Sequence, residues 1–412
     1  MSRAWLVWSI GALSFGYAFF QRVLPSVMVE DLMRDLGVTA AVLGNLAAVY
    51  FYAYAGLQIP VGMLLDRLGP RLMLTVAAAI AAAGSLLFGF ADTIGVAYAG
   101  RLLVGVGCAV GFVATLKLSA HWFPPSRYAF LSGLAMLVAM SAGVGGQGPM
   151  ALVIDVTGWR AALIGAGGVA LLLAAASWWI VRDHPPGTPP PPSHSPGIHG
   201  ILADLRDVFT NRQVLLIALY GGTMSGPMLS YAGLWGVPHL MQAHDLARPV
   251  AAASVSLVLI GWAVGAPLGG WLSDRIGLRR LPMAAAAGIS LIGWLALLYI
   301  PNLALLVVWF VLFGTGAASG AMVICMALAR ELAPARIGGA VTGLVNTFNV
   351  GGGAVFQPVI GILLDRNWDG TVIEGARVYS IEAYSAAFVV LPGCALMALV
   401  AALLVRESRC RP

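Results

Sequence analysis

Gly62-Met-Leu-Leu-Asp66-Arg67-Leu-Gly69-Pro-Arg71 returns 208 residues later as Gly270-Trp-Leu-Ser-Asp274-Arg275-Ile-Gly277-Leu-Arg279. The correspondence extends outward from that stretch. Gly105, Gly107, Gly111, Pro125 and Arg127 align with Gly314, Gly316, Gly320, Pro334 and Arg336 at an offset of 209, and Gln147 and Asp155 with Gln357 and Asp365 at 210. Registers that agree within two residues mark a duplication. The repeated stretch reads as a gate. Gly62 and Gly270 allow a neighbouring helix to come close. Gly69 and Gly277 supply turn dihedrals open to glycine. Asp66, Arg67 and Arg71, like Asp274, Arg275 and Arg279, can form charge pairs that close in one state and break in another. A charged loop alone explains the arginines but not the same Gly-x3-Asp-Arg-x-Gly spacing twice.

Around the repeat lies a chain of 412 residues that is 60% hydrophobic and 10% charged, with mean hydropathy +0.89. Water-soluble domains carry about 25% charged residues, so this is a polytopic membrane protein. Spans of about 20 apolar residues cross a hydrocarbon layer. Twelve are read: 5–29, 41–64, 72–91, 94–119, 129–152, 159–181, 213–240, 250–272, 281–300, 303–329, 338–364 and 382–405. The first is too long for a signal-peptide core and ends in no small-residue cleavage site, so it stays as a span. The four cysteines are too scattered for a disulfide framework or zinc ligands.

The formal net charge of +6 is a topology signal rather than a nucleic-acid footprint. Fifteen of the 23 basic residues fall on the side of the termini, five (Arg34, Arg160, Arg248, Arg366, Arg377) on the other, and Arg22, Arg101 and Lys117 within spans. The expected fold is thus an all-α membrane protein of twelve transmembrane helices in two six-helix repeats, both termini cytoplasmic. Its N-terminal bundle covers 1–181 and its C-terminal bundle 213–412. Between them, 182–212 is a cytoplasmic Pro-rich linker carrying a short interfacial helix near 201–209. His184, His194 and His199 cluster loosely in that region without metal-ligand spacing, so no metal and no cofactor is expected. The chain is placed as a multi-pass monomer in the cytoplasmic (inner) membrane, its partners the lipid bilayer and a small-molecule substrate.

With the duplication and the spans in hand, the residues carry a resemblance. The repeated loop and the twelve-span layout resemble the major facilitator superfamily over the full chain. Several stretches are similar to its anion:cation symporter branch and to related phagosomal-transporter-like bacterial carriers. These are Tyr17-x4-Arg22, Gln58-Ile-Pro60-x-Gly62, Arg101-x3-Gly105-x-Gly107, Trp122-Phe-Pro124, Gly158-Trp159-Arg160 and Asn346-x2-Asn349-x-Gly351-Gly352. The resemblance implies the major facilitator fold, alternating access, and Arg22 and Arg101 as anion-binding positions. In one respect the chain departs from that branch, having Cys108 where an acidic residue often follows the span-four arginine.

The charges support that reading independently. Arginine deep in a span costs about 2.5–3.5 kcal/mol on insertion scales and usually faces a cavity with a partner. All seventeen Asp and Glu residues sit in loops or at span ends, so a negative substrate best balances Arg22 and Arg101. Lys117, the only lysine, lies near the inner edge, where snorkelling competes with a cavity role. Arg101 and Lys117 have Phe310 and Met326 as repeat partners, so the positive charge belongs to one half. Candidate cavity residues are Tyr17, Gln21, Tyr50, Tyr54, Gln147, Tyr231, Trp235, Asn346, Asn349 and Gln357. All six histidines are read at span ends or in loops, which leaves no catalytic constellation at depth and argues against an enzyme. The functional expectation is a secondary active transporter for a small organic anion, a carboxylate or sugar acid, by proton-coupled uptake. Without a buried carboxylate, the proton would ride on the substrate or on interfacial Glu30 or Asp31. The alternatives are an amino-acid or other small-metabolite carrier, an anion exchanger and, less favoured, drug efflux.

Overall fold

A computed structural model describes residues 2–185, 208–333 and 338–408. The expected linker beyond residue 185, the interfacial segment up to residue 207, and Pro334, Arg336 and the basic tail from Arg409 lie outside the described residues. So do His194 and His199. Apart from a small hairpin, in which Val372–Ile373 pairs antiparallel with Ala376–Arg377, the described secondary structure is helical. Each of the twelve expected stretches falls largely on helix. Among the described residues, nine helical runs, or ten if a bent pair is one span, are long and apolar enough to cross a membrane. One of them, Pro125–Ile180, contains two expected spans. The leading helix Ser2–Val23, at 22 residues, is long enough to cross but diluted by Ser, Trp, Tyr and Gln.

The helices break where the covalent chemistry requires it. Pro60 has no N–H to offer the carbonyl four residues back, and the helix Ala40–Gly56 ends at that residue before Gln58–Gly89 begins. Spans two and three were expected to be separated by a loop near 65–71. They are separated by a tight turn there: Gly69, with φ of 77° and ψ of 160°, breaks the helix at a single residue. Gly158 does the same between spans five and six, with φ 79° and ψ 160°. In span seven Pro227 and Pro238 flank a π-helical segment, Tyr231–Trp235, between Arg212–Ser230 and Gly236–His244. Such widened turns form where the regular hydrogen-bond ladder is interrupted.

The helices pack into two compact units: 1–38 with 49–195, and 39–48 with 196–412. The helix Ala40–Gly56 therefore belongs to both, its first nine residues to the second unit. In the first unit, Gly84 and Gly100 lie face to face. A Cβ on Gly84 would stand 2.7 Å from the Gly100 carbonyl, and one on Gly100 2.8 Å from that of Gly84. In the second unit, side chains on Gly261 or Gly265 would run into the Phe313 or Ala317 carbonyl. Small residues of this kind let membrane helices approach backbone to backbone. Within the second unit, the Asp365 carboxylate caps the start of Ala40–Gly56, accepting from Ala40 N at 3.2 Å and Ala41 N at 2.9 Å. The Tyr379 hydroxyl donates to it at 2.6 Å, and Arg377 is 3.7 Å away. Burial, followed by this carboxylate, pushes the Tyr379 hydroxyl up from its ordinary pKa, so it remains the donor.

Candidate functional site

Arg22 ends the first helix of the first unit, and Arg101 stands one turn before Gly105 in Ile94–Cys108. Gly105 makes the cluster possible. A Cβ there would lie 2.7 Å from the Tyr50 carbonyl, so only glycine lets that helix settle against Tyr50. The guanidinium of Arg101 then sits 4.8 Å from the centre of the Tyr50 ring, and that of Arg22 is 5.7 Å from the same ring. Arg22 also lies over Phe19 at 4.3 Å, Tyr54 at 5.2 Å and Phe51 at 5.5 Å. Arg22 is 5% exposed and Arg101 1%.

Neither arginine forms an ion pair among the described residues. Arg101 Nη1 donates to the Gln21 carbonyl at 2.8 Å, while its Nε and Nη2, and Nε of Arg22, have no acceptor. Each buried donor left unpaired costs about 1–3 kcal/mol. Aromatic faces attract these cations but accept no directed N–H bond of full strength. Two buried cations with three unpaired guanidinium nitrogens form a site whose chemistry calls for an acceptor. Next to it, Tyr17, Gln21 and Ser85 form a closed polar group. Gln21 Nε2 donates to Tyr17 Oη at 2.6 Å and to Ser85 Oγ at 2.9 Å, and Tyr17 Oη donates to the Ala166 carbonyl at 3.1 Å. Gln21 Oε1 is left without a partner. Tyr50 Oη donates to the Ala18 carbonyl at 2.9 Å, which fixes the shared ring.

Thus Arg22, Arg101, Tyr17, Gln21, Tyr50 and Tyr54 come together in one cluster. Lys117 does not join them. Its ammonium donates to Asp66 at 2.7 Å and to the Leu65 carbonyl at 2.8 Å, so it is bound into the first copy of the gate. Gln147 is fully buried at the break before Gly148–Ile180. In the second unit, Trp235 Nε1 donates to the Gln357 carbonyl and Gln357 Nε2 to the Leu229 carbonyl, both at 3.0 Å. Asn349 is buried with neither amide atom bonded, and Asn346 is half-buried one turn before it. Tyr231 belongs to an aromatic box with Trp294, Phe388 and His239.

Both gate copies make the expected positive-φ turn, Gly69 at 77° and Gly277 at 71°. Their charges are partnered differently. Arg71 lies 4.3 Å over the Trp178 ring and donates to the Trp178 carbonyl at 2.8 Å. Arg279 donates to Asp274 and Glu331, both at 2.6 Å, and to Ser273 Oγ at 3.0 Å. Arg67 and Arg275 point outward, the latter 5.2 Å over Trp271. The close approach expected at Gly62 and Gly270 is not made there. A Cβ on Gly62 would meet nothing within 4 Å, and one on Gly270 only Val323 at 3.8 Å.

Several residues of the sites escaped the sequence reading. Phe19, Phe51 and Ser85 look like any apolar or small residue of a span. His239 was placed at a span end because the apolar run fades there. The helix continues to His244, and His239 is buried within it.

The sequence profile of the Major Facilitator Superfamily matches residues 10–239 and 228–411. Among curated relatives, the probable sulfoacetate transporter SauU of Cupriavidus necator is 26% identical over 166 residues, covering 40% of this chain and 39% of the relative. That match spans only about two-fifths of the relative's length. The probable galactarate/D-glucarate transporter GudP of Escherichia coli is 24% identical, over 92% of this chain and 90% of the relative. A bacterial homologue of the human lysosomal transporter Spinster has the same fold, with a TM-score of 0.77 at 17% identity over 97% of both chains.

Proposed function

From a chain that belongs to the Major Facilitator Superfamily, we propose a secondary transporter that moves a small organic anion across the cytoplasmic membrane by alternating access. The observation that carries this reading is the pair Arg22 and Arg101, buried on one tyrosine ring with three nitrogens unpaired and, among the described residues, no ion pair. A carboxylate supplies what they lack, since a guanidinium binds it through two parallel hydrogen bonds. The similarity to the probable sulfoacetate and galactarate/D-glucarate transporters supports an anion of that size and charge. Gln21 Oε1, unpaired beside the cluster, is an acceptor suited to a substrate hydroxyl.

Orientation and the energy requirement follow from charge. Both termini are assigned to the cytoplasm on the fifteen-to-five distribution of basic residues. Bringing in one negative charge against 100 mV costs about 2.3 kcal/mol, so net uptake needs a co-transported cation, and the proton is the assigned one. Exchange for an internal anion avoids the cost altogether. A thermal-shift screen of the purified protein against carboxylates, sugar acids, phosphates and amino acids tests the substrate class. Stabilisation by carboxylates is expected, and stabilisation only by neutral or cationic compounds contradicts it. Uptake into proteoliposomes under an imposed pH gradient, against counterflow without one, separates symport from exchange.

A further inference from the structure

The second unit holds a buried imidazole to which nothing above gives a task. His239 is 4% exposed. Its Nδ1 lies 3.1 Å from Tyr231 Oη, and the rings of Phe388, Tyr384 and Tyr231 enclose it at 5.0, 5.4 and 5.8 Å. Behind Tyr231 the box is closed by Trp294 at 5.2 Å. On the other side Tyr384 stands 6.4 Å from Tyr379, whose hydroxyl is bonded to Asp365. A row of ionisable side chains thus leads from the loop at Arg377 and Asp365 to the imidazole.

The ionisable groups around His239 come from each neighbouring element. Tyr231 comes from the π segment, Tyr384 from Ile381–Ala387 and His244 from its own helix. Glu382, on the helix of Tyr384, is exposed, and the packed helix Arg248–Ile276 brings Arg248 at its start. Tyrosines and an arginine do not exchange protons near neutrality, whereas an unperturbed imidazole does. Among the described residues, every Asp and Glu lies at a span end or in a connection, Asp31 being bonded to Arg34 at 3.0 Å. His121 and His184, stacked at 4.5 Å, belong to the first unit.

The backbone before His239 is the irregular one. The π segment Tyr231–Trp235 and Pro238 interrupt the helix within one to two turns of the ring, and such interruptions are where helices bend. A proton-coupling group must meet water in one state and lose it in another, and a ring packed beside a bend has that property.

Resting on the proton-coupled reading above, we propose that His239 is the proton-binding group of the transport cycle, closed in its aromatic box in this structure and opened to water by movement about Tyr231–Trp235. The proton passes from water to the ring nitrogen that is free of hydrogen in the neutral tautomer, and returns to water after the change of state. If that nitrogen is Nδ1, the Tyr231 hydroxyl turns from donor to acceptor. No other bond changes.

The test uses full-length protein in proteoliposomes with radiolabelled D-glucarate and sulfoacetate as probes. An inward gradient of one pH unit supports about tenfold accumulation per proton. For wild type, accumulation above counterflow is expected. In His239→Gln the ratio of gradient-driven accumulation to counterflow should fall to about one. Wild-type counterflow without accumulation overturns proton coupling, and this inference with it. Accumulation by His239→Gln equal to wild type overturns this inference alone and leaves the proton on the substrate. Tyr231→Phe keeps the ring and removes the hydroxyl. It should shift the pH of half-maximal uptake, and an unmoved profile contradicts the assignment even if His239→Gln fails to fold.

Discussion

In the first unit, Arg22 and Arg101 share the ring of Tyr50 with no acid among their partners. At the repeat-related position of the second unit Phe310 replaces Arg101 and is exposed, while Tyr231, His239, Trp294 and Phe388 close into a box without a permanent charge. The scaffolds are nonetheless alike. Side chains on Gly107 and on Gly316, its partner in the repeat, would each strike a carbonyl of the neighbouring helix, that of Ala77 or Val258. The duplication has kept the contacts that pack helices and let the chemistry diverge, so one unit carries the fixed positive charge and the other an imidazole.

The gate copies differ in the same way. Glu331 follows the second copy, and Arg279 is bonded to it and to Asp274. The repeat partner of Glu331 is Trp122, which leaves Arg71 with the face of Trp178 and a carbonyl. What is shared is the carboxylate that closes each turn: Asp183 accepts from Arg71 N at 2.8 Å, and Glu407 accepts from Arg279 N at 2.8 Å and Arg280 N at 2.9 Å.

The contrast can be broken by substitution. Gly105→Leu should have the largest effect, because it drives the Arg101 helix off Tyr50. Anion-induced stabilisation disappears and the unfolding midpoint falls, as overpacking costs about 1–3 kcal/mol. Arg279→Ala leaves the half-buried Glu331 without its main partner and should cost about 1–2 kcal/mol, in the range of hydrogen bonds to charged groups, read as a lower midpoint at unchanged anion affinity. Arg71→Ala removes a cation–π contact near the surface, worth about 0.5–1 kcal/mol. Equal losses for these two arginines would erase the difference between the gates. Lys117→Met installs the residue of the other repeat. It removes a part-exposed pair with Asp66 worth about 0.2–1 kcal/mol, and a loss of anion affinity would move Lys117 back into the binding site.

The spans, the duplication and the arginine cluster were legible because charge inside an apolar run is rare and costly. Arg22 and Arg101 stood out for that reason, and their lack of an acid could be counted. Lys117 was ambiguous because depth alone does not say that Asp66 lies within reach. The turns at Gly69 and Gly158 were legible because each falls in a short gap between apolar runs, the first marked by Asp66, Arg67 and Arg71. Gly62 was over-read, since spacing shows that glycine is allowed, not that a neighbour comes near. His239 was missed because polarity at the end of a span looks the same whether it faces water or is roofed by Tyr384 and Phe388.

The central claim is that Arg22 and Arg101 bind the anion, and it is tested most directly by titrating the carboxylate selected in the screen into wild type, Arg22→Lys and Arg101→Lys. Lysine keeps the charge but not the planar fork. Each variant should lose about tenfold or more in affinity, from hydrogen bonds to a charged group worth about 1.5–3 kcal/mol. Unchanged affinity in Arg22→Lys would contradict it.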